Sequence, residues 1–467
     1  MKNIFWFRQD LRLEHNPGLI ESAKDAAVLP IYILDDINAG KHKMGEASRW
    51  WLHHSLKSLS KSLRGKLAFF KGDAKQILIE LTKSENIQGV YWNRCYEPWR
   101  IQRDTNIKNA LKKEGVQANS FNASLLWEPW EIYKKDGDPF KVFTPFYKNG
   151  CLSYEPPEKP LGPPKKLNIS STTKGKPLDS LDLLSGKKWE NKMSSYWKIG
   201  EIGAKERLKQ FLKNGLEFYK KGRDFPSHDH VSRLSPHLHF GEISPNTVWY
   251  AVKGQNENHT HFRTELAWRE FSYYLLYHFP TLPEKNFQKK YDKFQWKTNI
   301  KHLRLWKKGQ TGIPLVDAGM RELWETGYMH NRLRMVTGSF LVKNLLLHWR
   351  EGEAWFWDCL LDADLASNSA SWQWVAGCGA DAAPYFRIFN PTTQGEKFDP
   401  KGTYIRRFIP ELKDLPIRYL FSPWTAPENV LREAGVKLGT TYPRPIVDLK
   451  KSREEALETF KGLKEVS

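Results

Sequence analysis

Over roughly the first 130 residues, short apolar runs alternate with amphipathic stretches, and no other feature of the chain constrains its fold as strongly. Asn3 to Phe7, Val28 to Leu34, Leu67 to Phe70 and Gly89 to Asn93 are brief and apolar enough to be buried strands. Between the second and third, Leu52, Leu56, Leu59 and Leu63 recur at helical spacing. Strand–helix alternation of this kind predicts a doubly wound parallel α/β sheet. Such sheets hold nucleotides at their carboxyl edge, yet no GxGxxG follows the first strand and no GxxxxGK[ST] occurs anywhere. Dehydrogenase and P-loop chemistry therefore lose their main support.

Pro156, Pro157, Pro160, Pro163, Pro164 and Pro177, set among Lys, Ser and Thr, exclude helix or strand interior between Glu155 and Pro177. Beyond about Trp197 helical periodicity takes over, with Ser235-Pro236 and Ser244-Pro245 each placing proline behind a capping serine. The expected division is an α/β domain over 1–130, a linker over 131–196 and an all-helical domain over 197–467. There is no internal repeat.

The 467 residues suffice for a large core, and the four cysteines, Cys95, Cys151, Cys359 and Cys378, form no CxxC pair. The expectation is a soluble, intracellular, cytoplasmic protein without a structural metal, since neither a signal peptide nor a run of roughly 20 apolar residues is present. The net charge of +20, from 73 Lys+Arg against 53 Asp+Glu, favours polyanions. Nucleic acid fits better than a membrane, because the basic residues are spread along the chain rather than gathered beside apolar anchors. Twenty tryptophans against six methionines suit core packing, stacking or redox relay, which composition does not separate.

Chemistry-bearing residues cluster late in the chain. Asn331 and Met335 are four apart and share one helical face, while Arg332 and Arg334 lie on others. Trp372 and Trp374, two apart on a helix, point to nearly opposite sides and have different jobs. Asp362 and Asp364 precede that helix, where carboxylates act as caps or accept bonds from a ligand ring. Val231-Ser232-Arg233-Leu234-Ser235 combines two hydroxyls, a guanidinium and a helix start, the makings of a diphosphate cradle. His237-Leu238-His239 and His53-His54 lack partners at zinc spacing, and no GxSxG or HExxH is present. Chemistry performed by a bound organic cofactor remains open.

Along nearly its whole length the chain resembles the DNA photolyase and cryptochrome family, most closely the class I cyclobutane pyrimidine dimer photolyases. The segments that carry the likeness are Phe5 to Leu13, Ser232 to Pro236, Glu265 to Phe271, His330 to Met335, Asp362 to Trp374 and Asp381 to Pro391. The resemblance implies an α/β antenna domain and a helical domain holding FAD, active as the reduced form. By position Tyr219, Val231, Ser232, Arg233, Leu234, Ser235, Phe262, Arg334, Asp362, Asp364 and Asn368 correspond to flavin contacts. Glu265, Asn331, Met335, Trp268 and Trp374 correspond to the dimer site, and Trp296, Trp349 and Trp372 to an electron-transfer relay. Arg223, Arg269, Arg332 and Arg387 correspond to residues that hold DNA phosphates.

The implied activity is light-driven repair of pyrimidine dimers in ultraviolet-damaged DNA by a monomer that needs neither a membrane nor an obligate protein partner. Competing readings are a (6-4) photolyase, a light-signalling cryptochrome and a flavoprotein that binds damage without repairing it. Asn331 and Met335 stand where (6-4) enzymes carry a histidine pair, and only about 75 residues follow Pro391, unlike the long tails of signalling members. Trp99-Arg100 replaces the Asn-Glu pair of folate-binding members, so a second chromophore is expected to be deazaflavin or flavin rather than methenyl-folate, or the site to be empty.

Overall fold

The computed structural model describes residues 1–187, 189–382 and 387–465, and side chains as far as residue 463. Residues 383–386, part of the segment ending at Pro391, lie outside the described residues. The chain forms two compact units. The first comprises Met1–Glu217, Ser232–Pro280 and Leu361–Ser367, the second Phe218–Val231, Thr281–Leu360 and Asn368–Ser467.

The first unit is built on five strands, β1 (Lys2–Phe7), β2 (Ala27–Leu34), β3 (Ala68–Lys71), β4 (Gly89–Asn93) and β5 (Gln117–Phe121). They pair in parallel in the order β3-β2-β1-β4-β5, with Phe5 between Pro30 and Tyr91. Successive side chains point to opposite faces of a strand, and the two faces are separate cores. One gathers Phe5, Phe7, Val28 and Tyr32 against Trp51, Leu52, Leu56 and Leu59 of helix α1 (Glu46–Ser62). The other gathers Ile4, Trp6, Leu29, Ile31, Val90 and Trp92 against Leu78, Ile107 and Leu111. Burial on both faces explains why four of the strands are legible as apolar runs. The fifth, β5, is a polar, incompletely buried edge strand that the apolar pattern misses.

The proline-rich segment is not a free linker. Ser170 N donates to Val28 O and Lys176 N to Phe69 O, so it lies along the sheet and satisfies edge groups of β2 and β3. The first unit also contains helix α2 (Glu257–His278), capped by Asn256, whose side chain accepts from His259 N at 3.0 Å.

Helices dominate the second unit, among them α3 (Asn331–Ser339) and α4 (Trp349–Cys359), each capped by a histidine, His330 and His348. Helix α5 (Leu365–Ala376) carries Asn368, Trp372 and Trp374. Among the described residues no strand lies beyond β5, and no helix is long and apolar enough to cross a membrane.

Candidate functional site

In the first unit, α2 presents Phe262, Glu265 and Trp268 at intervals of three, a single helical stripe. Phe262 is buried against Phe211 with ring centroids 4.7 Å apart. Glu265 is half-buried, 3.7 Å from the His261 imidazole one turn earlier. One face of Trp268 is covered by Phe143, the rings stacked at 3.7 Å and 10°.

Arg269, expected at a phosphate, has partners within this unit. Its Nη1 donates to Ser124 O at 2.8 Å and to Glu270 at 3.0 Å, and the guanidinium lies over Tyr273. The reason is Glu270, a buried carboxyl that burial pushes up to about 7 against the opposing pull of Arg269 and the Leu126 and Trp127 N–H groups. An unpaired carboxylate there would be costly, so Arg269 is held inward.

Asp364 is a buried carboxylate with several partners in this unit. Oδ1 accepts Ser367 N at 2.7 Å, capping α5, and Oδ2 accepts the Tyr273 hydroxyl, with His239 Nδ1 3.7 Å away. Burial alone would raise it, but His239, Tyr273 and the Ser367 N–H outweigh burial and hold the carboxyl at about 2. It is therefore a permanent anion at working pH. Asp362, two residues earlier, is half-buried. His237 turns instead to Glu242, so the two rings of the His-x-His stretch serve different carboxylates.

Ser232 to Leu234 run irregularly into the helix that begins at Ser235. Arg233 adopts a left-handed φ of +50°, Leu234 N donates to Ser232 Oγ at 3.4 Å, and Arg207 Nε donates to Ser232 O at 2.8 Å. Left-handed backbone at a non-glycine residue is strained and persists where surroundings impose it. The cap expectation is corrected in one place. Ser244 caps its helix by accepting from Thr247 N at 2.9 Å, whereas Ser235 is already the first helical residue, behind Leu234.

The first unit also contains a cleft at the carboxyl ends of β1 and β2, with a cavity volume of about 40 Å³. Its cations are balanced and stacked. Arg8 and Arg103 meet Asp104, Arg100 meets Glu97, and Arg100 and Arg103 lie 4.7 and 5.0 Å over the Trp99 ring.

In the second unit Asn331 is exposed and Met335 half-buried on one face of α3, with Nδ2 and Sδ 4.0 Å apart. Arg334 Nε donates to Met329 O at 2.8 Å. Arg332 is engaged, its Nη2 2.6 Å from Asp224 and its guanidinium 4.2 Å over Phe398, so this side chain too has an internal use. Tyr219 is buried with Arg223 over its ring at 5.5 Å; Val231 is half-buried and Arg387 exposed. Asn368 is buried, its Nδ2 donating to Glu353 O at 3.0 Å.

The tryptophans differ sharply in setting. Trp372 is 3% exposed, edge-on to Trp306 and Phe356 at 6.3 and 4.9 Å, while Trp374 is half-buried. Gly352 makes room for Trp372, because a Cβ there would fall 2.0 Å from Cη2 of the indole. Gly352→Ala is expected to cost about 1–3 kcal/mol by overpacking and to displace the indole, measurable as a lower melting temperature with altered tryptophan fluorescence. Trp349 is fully buried and Trp296 half-buried, and the His348 ring lies 5.6 and 5.2 Å from them. Sequence reasoning gave no role to Tyr273, Trp306 or the wholly buried Gln373; their roles follow only from packing.

Comparison with known proteins matches residues 3–165 to the family described as DNA photolyase, and residues 262–462 to the FAD binding domain of DNA photolyase. A deoxyribodipyrimidine photo-lyase of Agrobacterium fabrum is 46% identical over 475 residues, covering 99% of this chain and 98% of the relative. The crystal structure of a bacterial class III photolyase from Agrobacterium tumefaciens superposes with a TM-score of 0.95 at 45% identity, covering 99% and 98% of the two chains. That of an archaeal photolyase from Sulfolobus tokodaii with two FAD molecules gives 0.83 at 30% identity, covering 99% and 100%. A likeness this high over essentially the full length of both chains places the protein in the DNA photolyase and cryptochrome family.

Proposed function

We propose that this protein repairs cyclobutane pyrimidine dimers in ultraviolet-damaged DNA under light. The observation that carries the reading is the 46% identity, along almost the whole chain, with a deoxyribodipyrimidine photo-lyase. For the subclass, the class III relative favours class III over the class I expectation.

The donor set fits FAD. The Ser232 and Ser235 hydroxyls with Arg233 suit a diphosphate, the permanently charged Asp364 suits an N–H of the cofactor, and Asn368 supplies a neutral amide for the flavin ring. Tyr219, Val231, Leu234, Phe262, Arg334 and Asp362 complete the assigned contacts. Reduced FAD, when bound, supplies the photoexcited electron.

The protein's own part is recognition and orientation. A dimer inside a duplex cannot reach a buried cofactor, so the lesion must be extruded; photolyases are a known instance of base flipping. We assign Trp268 and Trp374 to stacking on the extruded bases, and Glu265 and Asn331 to hydrogen bonds with their carbonyls. Met335, one turn from Asn331, offers an apolar contact and no proton. Splitting the cyclobutane ring into two pyrimidines involves no net oxidation or reduction, so no cosubstrate is consumed.

Arg223 and Arg387 are assigned to phosphates, whereas Arg269 and Arg332 are assigned to positioning. Arg387→Ala is expected to weaken binding alike for damaged and undamaged DNA and to lower the salt dependence by about one phosphate contact, readable from affinity against salt concentration.

We assign the cleft beside Trp99 and Arg100 to the second chromophore. Aromatic faces and stacked guanidinium groups suit a flat aromatic ring such as a flavin or deazaflavin, and the Sulfolobus relative holds a second FAD. The absorption spectrum of released chromophores tests this; a folate spectrum would contradict it.

A further inference from the structure

The second unit holds the Trp349 indole in a setting that bears on what happens after it is oxidised. Its N–H is fully buried and donates to Asn286 Oδ1 at 3.1 Å, while Asn286 Nδ2 donates to Asp292 Oδ1 at 2.7 Å. These two bonds fix the amide's orientation on chemical grounds. An indole N–H only donates and a carboxylate only accepts, so the amide oxygen must face Trp349.

The loop that carries Asn286 is fastened by Gln373, the residue between Trp372 and Trp374. Gln373 Nε2 donates to Leu282 O at 2.7 Å and to Lys285 O at 2.9 Å, and its Oε1 accepts Phe287 N at 2.8 Å. Gln288 adds bonds to the backbone of Cys378 and Gly379, both 2.9 Å. Outside the loop lies an open cavity of about 330 Å³ lined by Glu284, Asp292, Trp296, His348 and Arg350, among others. Solvent thus reaches Trp296 but not the Trp349 nitrogen.

We propose that Asn286 is a positioning residue for light-driven reduction: it binds the Trp349 N–H through an oxygen too weakly basic to take the proton. This rests on the reading of Trp372, Trp349 and Trp296 as the relay. An oxidised indole is a far stronger acid than a neutral one, acidic enough to pass its nitrogen proton to a carboxylate bonded to it. With an amide in that place the N–H bond survives, and Trp349 stays a cation that Trp296 can refill.

The electrons balance along the path. Trp372 gives one electron toward the cofactor, Trp349 gives one to Trp372 and Trp296 gives one to Trp349. A dissolved thiolate then gives one to Trp296, and two thiyl radicals couple to a disulfide. Asp292, behind the amide, polarises it and stabilises the passing positive charge without touching the indole.

The test compares holoprotein carrying Asn286→Asp with holoprotein carrying Asn286→Leu. Asn286→Asp puts a carboxylate oxygen on the indole, with one proton shared between it and Asp292 on its far side. After a flash it should show the neutral tryptophan radical in place of the cation, formed more slowly in heavy water, with severalfold lower steady photoreduction by thiol. Asn286→Leu should keep the cation signature and lose less. In the dark, its Trp349 indole proton should exchange severalfold faster by NMR. A cation and an undiminished yield in Asn286→Asp, an equal loss in Asn286→Leu, or unchanged exchange would each overturn the proposal. Trp349→Phe separates the two readings: photoreduction surviving there would sink the relay itself, whereas its loss beside an unaffected Asn286→Asp would sink only the role of Asn286.

Discussion

Replacing Trp372 by Phe is expected to slow light-driven reduction of the bound cofactor by at least about tenfold, equivalent to about 1.4 kcal/mol on the barrier, while enzyme reduced beforehand still repairs. Trp372 is enclosed by Trp306 and Phe356 and admitted by the bare Cα of Gly352, so a phenyl ring enters the same space without steric conflict. What it lacks is an oxidisable indole. The measurement is the bleaching of oxidised flavin under blue light with thiol present, alongside repair by chemically reduced enzyme. Photoreduction at the wild-type rate would remove Trp372 from the relay.

Asp364→Asn is the second large expectation. The carboxylate caps α5 through Ser367 N, accepts the Tyr273 hydroxyl and faces His239, all in one buried place. An amide keeps the shape but not the charge, and breaking a buried charged network costs about 3 kcal/mol or more. On the proposed contact between Asp364 and the cofactor, part of that loss falls on flavin binding, so the variant should purify with little bound flavin and require added FAD to regain colour. The pH behaviour has a definite sign. A carboxyl whose folded value is lowered to about 2 contributes stability above its unfolded range near 4, and loses it as pH falls through about 2. Wild-type flavin retention should therefore stay level, as far as this group governs it, from neutral pH down to about 4. Full flavin content in Asp364→Asn would contradict the assignment.

Strands buried on both faces carry their own signature, which is why β1 to β4 were legible to within a residue or two. β5 was not, because Gln117 to Phe121 is a polar edge whose pairing with β4 is decided by backbone hydrogen bonds rather than side chains. The prolines between Glu155 and Pro177 excluded regular structure correctly but concealed that Val28 and Phe69 bond this segment along the sheet. Helical geometry separated Trp372 from Trp374, while their different burial, one inside and one half-open, needed packing to decide.

Charge was the least legible property. Arg269 and Arg332 are indistinguishable in sequence from arginines that meet phosphate, yet Glu270 and Asp224 engage them. A carboxylate next in sequence does not say whether the two side chains meet, and one about a hundred residues away leaves no local mark on an arginine. The same holds for Tyr273 and His239, which set the state of Asp364 from distant parts of the chain.

The most direct test of the account incubates the purified, reduced holoprotein with two oligonucleotides, one carrying a cyclobutane thymine dimer and the other a (6-4) photoproduct, in darkness and in blue light. The account predicts restored thymines in the first oligonucleotide under light and nowhere else. An intact cyclobutane dimer after illumination, or repair of the (6-4) lesion instead, would contradict it.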